Sequence, residues 1–247
     1  MWSRLRKPRT AWCTRSPTMF LARSASGGMF DATTALHNTP RTKAGALELY
    51  DSWASSYDAD LASWGYRTPQ QIAAILARLA PQLGLPMSAP LLDAGCGTGL
   101  SGEALARAGF SDLCGADISN TSLAWLREHK ANVYTELVVA DLDTQLPLES
   151  DAYTFVACCG VTSYVENFAG LYQEWDRVTR PGGLIVFSIV VDRWDTDARG
   201  CATAMDTMLH AGWQELYASG PEDYLPQNPE PDEAARQVFH RAYQTKV

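Results

Sequence analysis

The segment Leu91-Leu92-Asp93-Ala94-Gly95-Cys96-Gly97-Thr98-Gly99-Leu100 constrains this chain more than any other. An apolar run ends in an acid, three glycines follow at alternate positions, and a helix-compatible stretch begins directly behind them. Glycine lets the backbone adopt positive φ and approach a ligand closely. A helix N-terminus offers free N–H groups with partial positive charge. Open parallel sheets bind ligands at the carboxyl ends of their strands, where the strand order switches. A tight turn using glycine for geometry alone is the bland alternative, and three glycines behind an acid-ended strand argue against it.

The flanking pattern supplies such a sheet. Strands are predicted at Pro90–Ala94, Leu113–Ala116, Val133–Ala140, Tyr153–Cys158 and Leu184–Val190. Helices are predicted between them at Ser101–Ala108, Ser119–His129 and Asn167–Val178. Upstream, Ala44–Asp58 and Pro69–Leu83 read as helices, the second with Thr68 as cap and Ile72, Ile75, Leu76 and Leu79 on one face. This alternation implies an α/β fold whose mostly parallel, doubly wound sheet is covered by helices on both faces. The tail departs from it: helix Ala202–Ala211, strand Trp213–Ala218, proline-rich loop 219–232 and strand Arg236–Tyr243. Two last strands without a helix between them must pair antiparallel or lie apart. One domain accounts for residues 44–247, with its motif core at 90–190.

Charge divides the chain. Residues 1–43 hold eight of the twenty Lys and Arg and one acid, Asp31. The remainder carries twelve bases against twenty-seven acids, a poor match to a phosphate backbone, so nucleic acid is not expected as a partner. The basic, Ser- and Thr-containing residues 1–43 read either as a mitochondrial or plastid transit peptide or as a disordered extension with an early start codon. Under either reading the segment stays outside the fold, and without a leader the expected compartment is the cytoplasm. Six Cys show no C-x-x-C spacing, which fits reduced thiols and no zinc site. The longest near-apolar stretch, Leu184–Val191, is far short of the about twenty residues that a membrane-spanning helix needs.

Spacing narrows the ligand. The dinucleotide fingerprint is G-x-G-x-x-G. Here the third glycine comes one residue too soon, giving D-x-G-x-G-x-G with Leu100 at the fingerprint's last position. Asp117 ends the second strand, where an acid can accept from both ribose hydroxyls. Asp141 ends the third strand, where it can accept from an exocyclic amine such as that of adenine. The alternatives are a helix cap for Asp117, a role Ser119 fills better, and a solvated loop carboxylate for Asp141.

With these residues in place, the sequence resembles a class I S-adenosylmethionine-dependent methyltransferase from about Leu47 onward. The resemblance implies a seven-stranded sheet with an antiparallel C-terminal hairpin. It assigns cofactor binding to Asp93, Gly95, Cys96, Gly97 and Gly99, to Asp117 with Ile118, to Asp141 with Leu142, and to Cys158 after the fourth strand. Arg177-Val178-Thr179-Arg180-Pro181-Gly182-Gly183 is similar to the family's turn before the fifth strand. Tyr50-Asp51-Ser52-Trp53-Ala54-Ser55-Ser56-Tyr57-Asp58, with Tyr66, Pro69 and Ala211-Gly212-Trp213, is similar to the methyltransferase-like proteins of the Williams–Beuren region. It implies an N-terminal helical lid with Tyr57 and Tyr66 as cofactor contacts, while Trp53 is expected to pack the helix on the sheet. The fourth strand, Tyr153-Thr154-Phe155-Val156, lacks the acid many members carry there.

Methyl transfer from a sulfonium needs alignment and exclusion of water more than acid–base help. Acceptor contacts are expected just after the fourth strand, in 158–164, where no amino-methyltransferase "[DN]-P-P-[YF]" motif occurs. The four His (37, 129, 210, 240) lie at helix ends or in the tail and read as surface residues, which leaves Tyr164 and Glu166 as the nearest candidate bases. The acidic body suits a neutral or cationic small molecule, or a basic protein segment, and the loop 219–232 is placed to close over it. The competing classes are a nicotinamide oxidoreductase, disfavoured by glycine spacing and by the missing Tyr-x-x-x-Lys, and a cofactor-binding module without turnover.

Overall fold

Leu91–Ala94 forms β1 in the middle of the sheet, and all four of its residues are buried. The structure is a computed structural model that describes residues 31–38, 42–53 and 55–247. Most of the basic N-terminal segment, and with it the transit-peptide expectation, lies outside the described residues.

β1 pairs in parallel with β2 (Leu113–Asp117) on one side and with β4 (Tyr153–Cys158) on the other. Adding β3 (Glu136–Val139), β5 (Thr179–Val190), β6 (Gln214–Ala218) and β8 (Gln237–Gln244) gives the order β3-β2-β1-β4-β5-β8-β6. β8 is antiparallel to both β5 and β6. The order therefore switches between β1 and β4, which places the ligand crevice at their carboxyl ends. The seven-stranded path is as expected, and a two-residue β7 (Glu222–Asp223) adds an eighth strand beside β8.

Successive strand side chains point to opposite faces. Leu92, Val156, Ile185 and Phe187 face α7 (Phe168–Val178) and α9 (Cys201–His210). Leu91, Phe155, Leu184 and Val186 face α4 (Thr68–Gln82) and α5 (Leu100–Arg107). Trp175, Tyr172 and Phe187 are fully buried with ring centroids 5.5–5.9 Å apart. Trp213 joins them and donates its indole N–H to Asp176 at 2.6 Å, so its polar tip is satisfied.

Several boundaries differ from the sequence reading. The helix expected over 44–58 is two helices, α2 (Lys43–Trp53) and α3 (Tyr57–Ser63). Ser55 and Ser56 lie at the break, where short polar side chains compete with helical hydrogen bonding. The Trp53 indole donates to Asp60 across it at 2.7 Å. Trp53 thus packs as expected, but within the lid, against Tyr57 and Trp64. The third strand starts at Glu136 rather than Val133, because Tyr134 turns inward over Gly102 and Gly115, where a Cβ would collide with it.

Two further corrections concern the periphery. Residues 1–43 were expected outside the fold, yet Ala32–Asn38 forms α1, which buries Ala32 and Leu36 against Leu49, Trp53 and Leu61. The loop 219–232 contains β7 and the start of α10 (Pro231–Ala234), and Gln227 donates its amide to Trp64 at 3.0 Å. That segment is docked onto the lid.

Candidate active site

The glycine turn is fastened to the neighbouring strand before it reaches the crevice. The Gly95 and Cys96 amides both donate to the Ala116 carbonyl, at 2.7 and 3.1 Å. Gly95 has φ +80°, and a Cβ there would lie 2.3 Å from Val161 Cγ2. Only glycine lets the loop behind β4 approach so closely. Gly97 has φ +49° and open space where a Cβ would point. Its amide donates to Asp117 Oδ2 at 2.9 Å, while Oδ1 accepts the Ser119 amide at 2.8 Å. Ser119 also caps α6 (Asn120–His129) by accepting the Ser122 amide at 3.0 Å, as expected of it. Burial raises the Asp117 carboxyl above its ordinary range, with both amides opposing the shift.

Asp93 lies beneath this turn, fully buried. Its Oδ2 accepts Ser101 Oγ at 2.7 Å and the Tyr134 hydroxyl at 2.6 Å, whereas Oδ1 is buried with no partner. Burial pushes this carboxyl up to about 6. A buried acceptor atom without a donor is costly unless a ligand supplies one.

One cleft of about 1070 Å³, counting its open mouth, gathers most of the expected residues. Gly95, Cys96, Gly97, Asp117, Ile118, Asp141, Leu142 and Tyr57 line it, as do Tyr66 and Tyr164. Asp141 Oδ1 accepts the Asp143 amide at 3.0 Å. Three expected residues do not line the cleft. Asp93 acts from below through Ser101, a lining residue, and Gly99 caps α5 with φ +87° against Leu126. Cys158 ends β4 buried among core residues on the α7 side, while Cys159, one residue on, faces the cleft. The alternation along a strand separates the two thiols. The Cys96, Cys114, Cys158, Cys159 and Cys201 thiols are free.

The lid carries contacts that sequence reasoning missed, although its motif contained the acids. Asp58 accepts Thr98 Oγ1 at 2.6 Å and Lys130 Nζ at 2.6 Å, and Lys130 also reaches Glu103 at 3.1 Å. Asp51 accepts Ser119 Oγ at 2.5 Å. Both ends of the lid thus grip the turns that flank the cleft. Of the two candidate bases, Tyr164 lines the cleft and Glu166 does not. His240, expected at the surface, is fully buried on β8 with Nδ1 3.4 Å from Glu222, which also accepts the Gln71 side-chain amide. Burial holds its imidazole below the ordinary range. Among the described residues no cluster of His, Cys, Asp or Glu is placed to hold a metal ion, and no helix is long and apolar enough to cross a membrane.

A sheet with this switch point, a glycine turn and strand-end carboxylates around one cleft defines a class. The chain belongs to the S-adenosylmethionine-dependent methyltransferase family. The methyltransferase-domain profile matches residues 92–187. The chain is similar to human methyltransferase-like protein 27, at 33% identity over 194 residues, covering 77% of this chain and 76% of that protein. It is 31% identical over 100 residues, 40% of each chain, to a ubiquinone biosynthesis O-methyltransferase of Alkalilimnicola ehrlichii. The fold is shared with a solved S-adenosylmethionine-dependent methyltransferase of Thermotoga maritima. The two have a TM-score of 0.56 and 17% identity over 81% of this chain and 99% of that one.

Proposed function

We propose that S-adenosylmethionine lies along the cleft with its ribose on Asp117, its adenine beside Ile118, Asp141 and Leu142, and its amino-acid end over Gly95 and Gly97. The observation that carries this reading is the buried, partnerless Asp93 Oδ1 beneath the glycine turn. An ammonium held over the glycine turn would satisfy it through a bridging water. The open space at Gly97 fits the amino-acid end, and the Asp117 carboxylate held by the Gly97 and Ser119 amides fits the ribose.

When bound, the cofactor supplies a methyl group on a sulfonium, electrophilic enough to be displaced in line by a nucleophile. The residues of this chain orient and dry that encounter. Asp51 and Asp58 hold the lid down, Tyr57 closes the cleft, and Val161 presses on Gly95 so that the acceptor side meets the cofactor side. Alignment and exclusion of water are the expected sources of rate. The acceptor is a small molecule, because the lid tyrosines Tyr50, Tyr57 and Tyr66 wall the cleft. A single methyltransferase domain over residues 44–247, extended upstream by α1, carries this activity. The composition of the preceding residues fits a cleaved organellar leader or a disordered extension with an early start codon, the two readings that N-terminal sequencing separates.

Titration calorimetry of the full chain tests the cofactor assignment. S-adenosylmethionine and S-adenosylhomocysteine are expected to bind and NADH is not. NADH binding without a response to either sulfur nucleoside would overturn it in favour of an oxidoreductase.

A further inference from the structure

The tyrosines around the cleft are more numerous than a cofactor needs, and they converge on one corner. Tyr50 and Tyr164 hydroxyls are 3.1 Å apart, with their rings edge-to-face at 5.8 Å. Tyr57 stands edge-on to Tyr50 at 5.5 Å. Tyr66 meets Tyr224 edge-on at 5.2 Å, and its hydroxyl contacts Cys159 Sγ at 3.3 Å. A Cβ on Gly160 would lie 2.6 Å from the Tyr66 hydroxyl and 3.0 Å from that of Tyr224, so these groups crowd the turn after β4. A second cavity, shared by Tyr50, Tyr57, Tyr164 and Gly160 with the main cleft, opens from this corner toward Tyr224 and Leu225. It is bounded by the lid on one side and the 219–236 segment on the other.

We infer that this tyrosine-walled corner is the acceptor site and that it takes a small organic amine. The inference rests on the methyltransferase reading above. Burial raises the Tyr50, Tyr57, Tyr66 and Tyr224 phenols, so these stay neutral and offer ring faces and hydroxyl oxygens rather than charges. Ring faces attract a cation through their quadrupole. Among the described basic side chains, Lys130 is held by Asp58 and Glu103, Arg236 by Glu233, Arg193 by the Ser163 carbonyl and Arg199 by the Val165 carbonyl, so an anionic acceptor meets no unengaged one among them. Asp51 and Asp117 meet hydroxyl and amide donors rather than a basic side chain, and their field favours a cation and repels a carboxylate.

Amine chemistry also suits a corner whose carboxylate, Glu233, is paired with Arg236. An amine that arrives as its ammonium first gives one proton to water; the neutral amine then forms the new N–C bond with its lone pair while the C–S bond breaks and leaves its electron pair on sulfur as a thioether. The resulting ammonium keeps the methyl and releases its proton to water. The tyrosine faces hold that ammonium as it forms.

The test is binding by the full chain saturated with S-adenosylhomocysteine, using benzylammonium, benzyl alcohol and phenylacetate as probes of one shape and three charges. Benzylammonium is expected to bind about tenfold tighter than the alcohol, and phenylacetate weakest. Tyr224→Leu is expected to erase the cation preference, Tyr224→Phe to keep it, and neither to change the Kd for S-adenosylhomocysteine, since Tyr224 does not line the main cleft. Equal or tighter binding of the alcohol or the carboxylate, with S-adenosylhomocysteine bound normally, overturns the amine site alone. Failure of S-adenosylhomocysteine to bind at all overturns the methyltransferase reading and the amine site with it.

Discussion

Asp58 on the lid lies 2.6 Å from Lys130 at the end of α6, a pairing of residues seventy-two positions apart. The Lys130 side chain is 11% exposed and that of Asp58 29%, so water screens the pair only in part. The other Asp58 oxygen takes the Thr98 hydroxyl inside the glycine turn. One carboxylate therefore joins lid, glycine turn and α6. The lid's position follows from these two contacts and from Asp51 on Ser119.

Loosening this latch has a defined effect. Asp58→Asn is expected to lower stability by about 1 kcal/mol, because a partly buried, charge-assisted contact is worth more than an exposed pair. It is expected to raise the Kd for S-adenosylmethionine by roughly fivefold, about 1 kcal/mol of lid closure. Calorimetry together with a double-mutant cycle against Lys130→Met measures both effects. Zero coupling between the two positions would show the latch to be incidental.

Asp117→Ala is expected to weaken cofactor binding about 10- to 100-fold, since charge-assisted hydrogen bonds contribute roughly 1.5–3 kcal/mol. The Gly97 and Ser119 amides lose their acceptor in that variant, so its folding is checked by circular dichroism before calorimetry. Unchanged affinity in a folded Asp117→Ala protein would remove the ribose assignment.

The buried Asp93 makes stability depend on pH. Its carboxyl rises from 3.8 to about 6 on folding, so the native state holds this proton more tightly than the unfolded chain does. The stabilisation is complete below about pH 4 and is lost as pH rises through about 6, at most roughly 3 kcal/mol at 1.36 kcal/mol per unit. Asp93→Asn cannot ionise and lacks this slope. Urea unfolding at pH 4, 5, 6 and 7 is expected to show the wild type losing ground to the variant across that window, and parallel curves would contradict it.

The glycines of the turn are not equivalent. Gly95→Ala places a methyl against Val161 at a backbone φ of +80°, and is expected to cost about 3 kcal/mol from overpacking plus left-handed strain. Gly97→Ala meets no atom and is expected to cost about 1 kcal/mol. Val161→Ala in the Gly95→Ala background restores part of the loss. Equal costs at the two glycines, read from unfolding midpoints, would refute the close approach.

The N-terminus of protein purified from its own cells reports on the leader. Because Ala32 and Leu36 pack into the lid, cleavage is expected before Asp31. A mature chain that begins at Met1 would reject a cleaved leader.

Much of this fold is legible along the chain. The strand-end acids Asp93, Asp117 and Asp141 mark their own positions, because an apolar run stopped by a carboxylate has few other uses. The glycine spacing separates this cleft from a dinucleotide site without any coordinates. What stayed hidden was the partnering of distant side chains. Asp51 and Asp58 carried no role in the sequence beyond their place in the lid motif, and only the break between α2 and α3 turns Asp58 toward Thr98 and Lys130. His240 looked like a tail residue until β8 slid between β5 and β6.

Periodicity and turn chemistry are local, acting over a few residues, so the sequence alone determined the α/β alternation, the glycine turn and the strand-end carboxylates. The tertiary structure decided which of two adjacent cysteines faces the cleft, that α1 belongs to the lid, and that five tyrosines from four separate stretches meet at one corner. Those outcomes depend on strand phase and on packing between elements far apart in the chain, and no local pattern encodes them.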